Sequence, residues 1–129
     1  MCGIIGLYSK FDLPVDYMPM KHALDLLKNR GPDDNGIEKI KTNFGSVIFG
    51  HTRLSILDLT ESGHQPMISD DENYFLTFNG EIYNFKEIRQ ELKSYGFKFR
   101  TKTDTEVLLN AWKKWGRECL SKLIGMFAF

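Results

Sequence analysis

The sequence predicts an α+β domain built on a mostly antiparallel sheet, and three observations carry that expectation. Short apolar or alternating runs of strand length recur along the chain. Three other stretches repeat apolar residues at helical spacing. Turn signals, above all Asn79-Gly80, fall between neighbouring runs and join strands by hairpins. The resulting order is strand, helix, several strands, helix, strand, helix, strand. A layered α+β arrangement accounts for that order better than a doubly wound parallel sheet.

The opening C-G-I-I-G-L-Y (2–8) reads as a short buried strand. Met20, Ala23, Leu24 and Leu27 fall at i, i+3, i+4 and i+7 of a helix. It ends before Asn29-Arg30-Gly31-Pro32, and Asp33, Asp34, Asn35 and Gly36 continue the loop. Ser46 to Gly50 suits a strand. From His51 to Ile56 polar and apolar residues alternate, with His51, Arg53 and Ser55 on one side and Leu54 and Ile56 on the other. Glu61 to Pro66 is expected to be a loop, and Tyr74 to Phe78 a strand leading into the Asn79-Gly80 hairpin.

Asn84 with Glu87 forms a capping-box pattern ahead of a helix whose apolar face is Phe85, Ile88 and Leu92, with Gly96 as its stop. Phe97 to Arg100 is expected to be a strand. Thr103 with Glu106 repeats the capping pattern before a helix facing inward with Val107, Leu108, Ala111, Trp112 and Trp115, closed by Gly116. Met126 to Phe129 reads as the beginning of a strand.

Composition narrows the function classes. The 129 residues suffice for one packed domain, and 42% apolar with 13% aromatic residues argues against disorder. Seventeen Lys plus Arg against seventeen Asp plus Glu give a net charge of +0, so nothing points to a nucleic acid or a membrane surface as partner. No apolar run approaches the ~20 residues of a membrane span. Neither a secretory signal nor a disulfide framework is expected from this N-terminus and the two cysteines, Cys2 and Cys119, which favours the cytoplasm. His22, His51 and His64 lack metal-ligand spacing, so no metal site is expected.

Chemistry is concentrated in a few residues. Cys2 becomes the N-terminus once Met1 is removed, and its α-amine, with an ordinary pKa of about 7.7–8.0, then supplies a general base beside the thiol. The bland reading is a small buried strand cysteine. Asn79 and the Gly80 N–H can donate to a tetrahedral oxyanion, although a tight turn explains Asn-Gly equally. Arg53 can grip a carboxylate by its fork, or be a solvated surface residue. Asp104 can meet an ammonium, or simply favour a helix start.

Six motifs occur in one order: M-C-G-I-I-G, R-G-P-D-D-N-G (30–36), H-T-R-L-S-I (51–56), G-H-Q-P-M (63–67), N-G-E-I-Y-N (79–84) and T-D-T-E (103–106). Together, over the whole chain, they resemble the class II glutamine amidotransferase domain of the glutamine-hydrolysing asparagine synthetases. The resemblance implies a four-layer αββα sandwich of the N-terminal nucleophile type. It implies Cys2 as the nucleophile that forms a glutamyl thioester and releases ammonia, with Asn79 and Gly80 as the oxyanion hole. Arg53 would hold the glutamine α-carboxylate, the backbone of Leu54, Ser55, Ile56 and Leu57 would line the site, and Glu81 and Asp104 would receive the α-ammonium.

In that family the domain continues past the equivalent of Phe129 into a synthetase domain that uses aspartate and ATP. The chain is therefore expected to be an N-terminal part of such a domain, without the ATP and magnesium site, and with an open apolar edge that lowers its stability alone. Two rivals stay open at this point: an amidotransferase or amide hydrolase of a different acceptor system, and a catalytically silent fragment.

Overall fold

The computed structural model describes residues 1–14 and 16–129. Its first unit is a three-stranded antiparallel sheet of β1 (Gly3–Ser9), β2 (Asp34–Thr42) and β3 (Gly45–Arg53), ordered β1-β3-β2. Helix α1 (Met18–Leu27) packs on β1 and β3, sinking Met20 and Leu24 into the layer beneath it. Pro19 sits in the first turn of α1, where its missing N–H costs nothing. A 3₁₀ turn over Lys28–Arg30 then leads to Gly31.

The second unit holds the larger core. Strands β4 (Met67–Ile68) and β5 (Phe75–Leu76) pair with each other, and β6 (Asn79–Ile82) pairs with β7 (Gly125–Ala128), all antiparallel. Helices α2 (Phe85–Ser94) and α3 (Asp104–Trp115) lie together, burying Ile88, Leu92, Val107, Leu108 and Ala111 against Leu76, Phe78 and Ile82. Cys119, in the 3₁₀ segment after α3, is fully buried in the same cluster. The two units meet where Thr77 Oγ1 donates to the Gly50 carbonyl (3.4 Å) and His51 Nε2 approaches the Phe78 carbonyl (3.1 Å).

The α+β class and antiparallel pairing expected from the sequence are present, and so are all three helices. Several details differ. Asp34 to Gly36 open strand β2 rather than continuing a loop. Isoleucines at 37 and 40 do not alternate, so this strand is specified by its pairing with β3, Asp34 opposite Arg53 through Thr42 opposite Gly45. The strand expected to run to Ile56 stops at Arg53, because the amides beyond it are taken by side chains: Leu54 N–H by Cys2 Sγ and Ser55 N–H by Asp33.

Asn79-Gly80 is not a hairpin turn. Both residues lie inside β6, opposite Ala128 and Phe127, so the dipeptide starts a strand whose partner is distant in sequence. Asn84 stands at the N-cap of α2 as expected, but its side chain makes no capping bond. Its side chain instead donates to the Lys122 carbonyl (2.8 Å) and accepts from Ile124 N–H (2.9 Å), tying α2 to the approach of β7.

Phe97 to Arg100 form no strand. Phe97 N–H returns to the Leu92 carbonyl, and the amides of Arg100 and Thr101 both go to the Glu106 carboxylate at 2.8 Å, so both ends of the run are held by bonds outside any ladder. Half of the second capping box forms, with Thr103 Oγ1 accepting Glu106 N–H (3.2 Å), while the Glu106 side chain bypasses Thr103 for those two amides. Gly116 closes α3 with φ 55°, as its position in the sequence required.

Leu92 has no exposed surface and sits at the centre of the α2–α3 core. Leu92→Ala is expected to cost about 2–5 kcal/mol through lost transfer energy and a residual cavity. A thermal melt unchanged by this substitution would show that α2 does not share a cooperative core with α3.

Candidate active site

A cavity of about 320 Å³ opens between the two units. Cys2, Arg53, Leu54, Ile56, Leu57, Asn79, Gly80, Glu81 and Asp104 all line it, so nine of the ten residues singled out in the sequence converge. Ser55 does not. It lines a neighbouring depression with Asp33, Asp34 and His64, and its N–H is spent on Asp33 Oδ2 at 2.7 Å.

Cys2 reaches the cavity because β1 runs antiparallel to β3 with Gly3 opposite Thr52, which sets the N-terminus beside the end of β3. Leu54 N–H donates to Cys2 Sγ at 3.4 Å, and the thiol is 3.8 Å from the Leu54 carbonyl. Arg30 Nε donates to the Cys2 carbonyl (3.0 Å), fixing the residue from the other side. Met1 lines the cavity as well and is otherwise exposed.

Arg53 is buried, and a buried guanidinium must be partnered. Its Nη1 donates to the Thr60 carbonyl at 2.8 Å and Nη2 to the Asp58 carbonyl, with Gly63 directly beneath; a Cβ on Gly63 would collide with Nη2. Both acceptors are neutral carbonyls, so the cation keeps its full charge and has further N–H donors to offer.

The supporting loop is held by Asp58. Its carboxylate takes the hydroxyl and N–H of Thr60 (2.6 and 3.0 Å) and the N–H of Lys102 (3.3 Å). These bonds, those of Thr60 first, pull its pKa down to about 2. Sequence reading did not single out Asp58 or Thr60, and it gave Gly63 no role beyond its place in the G-H-Q-P-M motif. An Asp followed two residues later by Thr is a known local turn signal, and it was the one available clue.

On the opposite wall Asp104 occupies the first turn of α3, 5% exposed, and its Oδ2 accepts Ile82 N–H at 3.0 Å. Burial raises its pKa, and the charge of the adjacent Glu81 pushes the same way against the backbone hydrogen bonds that oppose it. Glu81 itself is exposed at the cavity rim. Two carboxylates thus face one cavity without a cation of their own among the described residues.

Asn79 lines the same cavity. Its Oδ1 is buried and unpartnered among the described residues. A buried amide oxygen left without a donor costs about 1–3 kcal/mol, and such a group in a cavity marks a place for a ligand. Gly80 follows with φ 157°, and a Cβ there would strike the Met126 carbonyl, so the position admits only glycine. His51, 1% exposed, has a pKa lowered to about 4 chiefly by burial. It is therefore neutral near pH 7. Because a carbonyl only accepts, Nε2 carries the proton given to Phe78.

A family model described as "Glutamine amidotransferase domain" matches residues 1–129. The chain is 43% identical over 132 residues to asparagine synthetase [glutamine-hydrolyzing] 1 of Bacillus subtilis (strain 168), covering 100% of this chain and 20% of that protein. It is 38% identical over 145 residues to a putative asparagine synthetase [glutamine-hydrolyzing] 2 of Methanocaldococcus jannaschii, covering 100% and 27%. A probable asparagine synthetase [glutamine-hydrolyzing] of Schizosaccharomyces pombe is 38% identical over 130 residues, covering 100% and 22%. The chain thus spans about a fifth to a quarter of the length of these relatives.

The raised pKa of Asp104 is a statement about stability. Its folded pKa lies above the unfolded one, so its favourable contribution is complete below the ordinary carboxyl value of 3.8 and is lost as pH rises through the folded pKa. Ionised Asp104 therefore destabilises the empty site at neutral pH. Asp104→Asn keeps an acceptor for Ile82 N–H and removes the charge. It is expected to melt higher than the unmodified protein at pH 7, with the gap closing as pH falls towards 4. A gap that is negative at pH 7, or independent of pH, would refute this account.

Proposed function

The chain belongs to the glutamine amidotransferase domain family, and on that premise we propose that it hydrolyses glutamine to glutamate and ammonia through a thioester on Cys2. One observation carries the proposal: a single cavity is lined by the residue next to the N-terminus, a cation partnered only by carbonyls, the Asn79 side-chain amide, and the carboxylate residues Glu81 and Asp104. Glutamine has a matching set of groups. Its α-carboxylate suits Arg53, its α-ammonium suits Asp104 and Glu81, and Leu54, Ile56 and Leu57 border the same cavity, where the side chain that leads to the amide would lie.

Removal of Met1 frees the α-amine of Cys2 and vacates space in the cavity. The amine takes the thiol proton, directly or through a water, and the thiolate sulfur attacks the side-chain amide carbon of glutamine. The Asn79 side-chain NH₂ and the Gly80 N–H stabilise the oxyanion. Collapse of the tetrahedral intermediate breaks the C–N bond, and the proton held by the amine leaves with ammonia. Water then cleaves the thioester to glutamate and the free thiol. No cofactor is needed for these steps.

The wider reading is that of the named relatives. Ammonia would pass to a synthetase domain that makes asparagine from aspartate and ATP, and ATP and magnesium would belong to that domain. Ser55 would contribute at most its backbone to the site. The four-layer αββα sandwich goes with the same proposal, supported by α1 on one sheet unit and α2 with α3 on the other. A cytoplasmic setting also goes with it. Among the described residues no helix is long and apolar enough to cross a membrane.

The decisive test is ammonia release from glutamine by purified protein whose N-terminus is confirmed as Cys2 by mass spectrometry. Cys2→Ala should abolish it, and Cys2→Ser should lose nearly all of it. A diazoketone analogue of glutamine should alkylate Cys2 and spare the buried Cys119. Undiminished activity in Cys2→Ala would end the proposal.

The binding and oxyanion groups should separate kinetically. Arg53→Ala is expected to raise KM for glutamine, since its contact exists in ground and transition states alike. Asn79→Ala is expected to lower kcat by ~10²–10³. Equal losses in kcat with KM unmoved would contradict the assigned roles.

A further inference from the structure

Between β5 and β6 the chain passes through Thr77 and Phe78 outside any strand. Phe78 is 3% exposed, so its N–H and C=O are cut off from water and need partners. Both partners are side chains. Phe78 N–H donates to Gln65 Oε1 at 2.7 Å, and the Phe78 carbonyl accepts from His51 Nε2 at 3.1 Å. The Gln65 amide has a second end, and its Nε2 donates to Thr105 Oγ1 at 3.3 Å. Gln65 and Thr105 are each 4% exposed. Phe78 directly precedes Asn79, and Thr105 directly follows Asp104. One buried side chain therefore spans from the residue before the oxyanion amide to the residue after the ammonium-binding carboxylate.

We propose that Gln65 is a positioning residue that fixes the oxyanion donors of Asn79 and Gly80 relative to the ammonium site at Asp104, with His51 holding the far side of the Phe78 peptide. The inference rests on the glutamine reading of the cavity. An amide is the group this span requires, because one planar unit supplies an acceptor to Phe78 and a donor to Thr105. A carboxylate would supply only acceptors and would add a charge near Asp104. Gln65 and Thr105 also border the cavity. Each is 4% exposed, however, and each end of the Gln65 amide already has a protein partner, so the role assigned to Gln65 is to hold its neighbours. Separation of the two subsites decides whether the amide carbon of a tethered glutamine meets the donors, and an error of about 1 Å in such placement can cost ~10²-fold.

The two arms of the clamp can be cut separately, with every rate normalised to the fraction of Cys2 that a thiol electrophile titrates. Thr105→Val removes the acceptor on the Asp104 side. KM for glutamine should rise ~5- to 10-fold, the loss of about one hydrogen bond, with kcat little changed. Thr105→Ser should restore it. Gln65→Leu cuts both arms. It should lower kcat ~10- to 100-fold as well as raise KM, and adding Thr105→Val to it should raise KM no further.

Gln65→Leu that folds with kcat and KM within about twofold of the unmodified protein would overturn the proposal. So would additive KM effects in the double variant, which would mean that Thr105 acts on the substrate without Gln65. Should the unmodified protein release no ammonia from glutamine, the glutamine reading fails by itself. The clamp is then judged by hydrogen exchange. Phe78 N–H should exchange at least ~10-fold faster in Gln65→Leu if that bond protects it, and an unchanged rate would overturn the clamp.

Discussion

Three consecutive polar side chains at the end of β3, His51, Thr52 and Arg53, are all buried, and the rest of the structure is arranged to give each a partner. A buried polar group without a hydrogen bond costs about 1–3 kcal/mol, and a buried charge more. All three turn to backbone carbonyls, each in a different segment. His51 goes to Phe78 before β6, Thr52 Oγ1 to Leu27 at the end of α1 (3.2 Å), and Arg53 to Asp58 and Thr60 in the following loop. One short stretch of strand thereby fixes the end of α1, the approach to β6 and the loop over Gly63. It also fixes Cys2, since β1 is registered on the same strand.

The choice of carbonyls as partners has an electrostatic result. Had Arg53 been paired with an internal carboxylate, its charge would have been neutralised within the protein. Carbonyls stabilise the cation and leave its charge available to a ligand. Across the cavity the reverse holds for Asp104, which has backbone N–H groups but, among the described residues, no ion pair, and whose pKa is raised as a result of burial and of Glu81. The site therefore keeps separated charge of both signs in a partly apolar cavity. That arrangement is costly when empty, and under the proposed function its two signs would meet the α-carboxylate and the α-ammonium at one end of glutamine.

Rigid placement of these groups comes from side-chain-to-backbone bonds more than from sheet ladders. The loop before α3 is held by Glu106 through Arg100 and Thr101, and by Arg89, whose Nη1 and Nη2 donate to the carbonyls of Thr101 (2.7 Å) and Thr103 (2.8 Å). Asp58 links that loop to the one beneath Arg53 through Lys102 N–H. Strands β4 to β7 are short. The polar bonds between loops supply the order that longer strands would otherwise give.

Helices were legible in the sequence because their causes are local: Thr103 caps three residues ahead, Gly116 ends α3 with positive φ, and apolar residues repeat every turn. The α+β class followed from the same periodicities. The candidate residues were legible by chemical type and by the resemblance of their motifs, and all but Ser55 meet in one cavity. Other features depend on partners far away in the chain and left no local mark. Strand β2 exists because β3 pairs with it, and Asn79-Gly80 became a strand because β7 lies alongside. The Phe97–Arg100 run lost its strand to the carboxylate of Glu106. Gln65 shows the same limit: in sequence it stood in the G-H-Q-P-M motif with no role of its own, and only folding makes it a buried bridge between the segments of Phe78 and Thr105. Sequence by itself determined which chemical groups are present and which short stretches coil. Only the tertiary structure decided which backbone groups each buried side chain would satisfy, because those partners are brought together by folding.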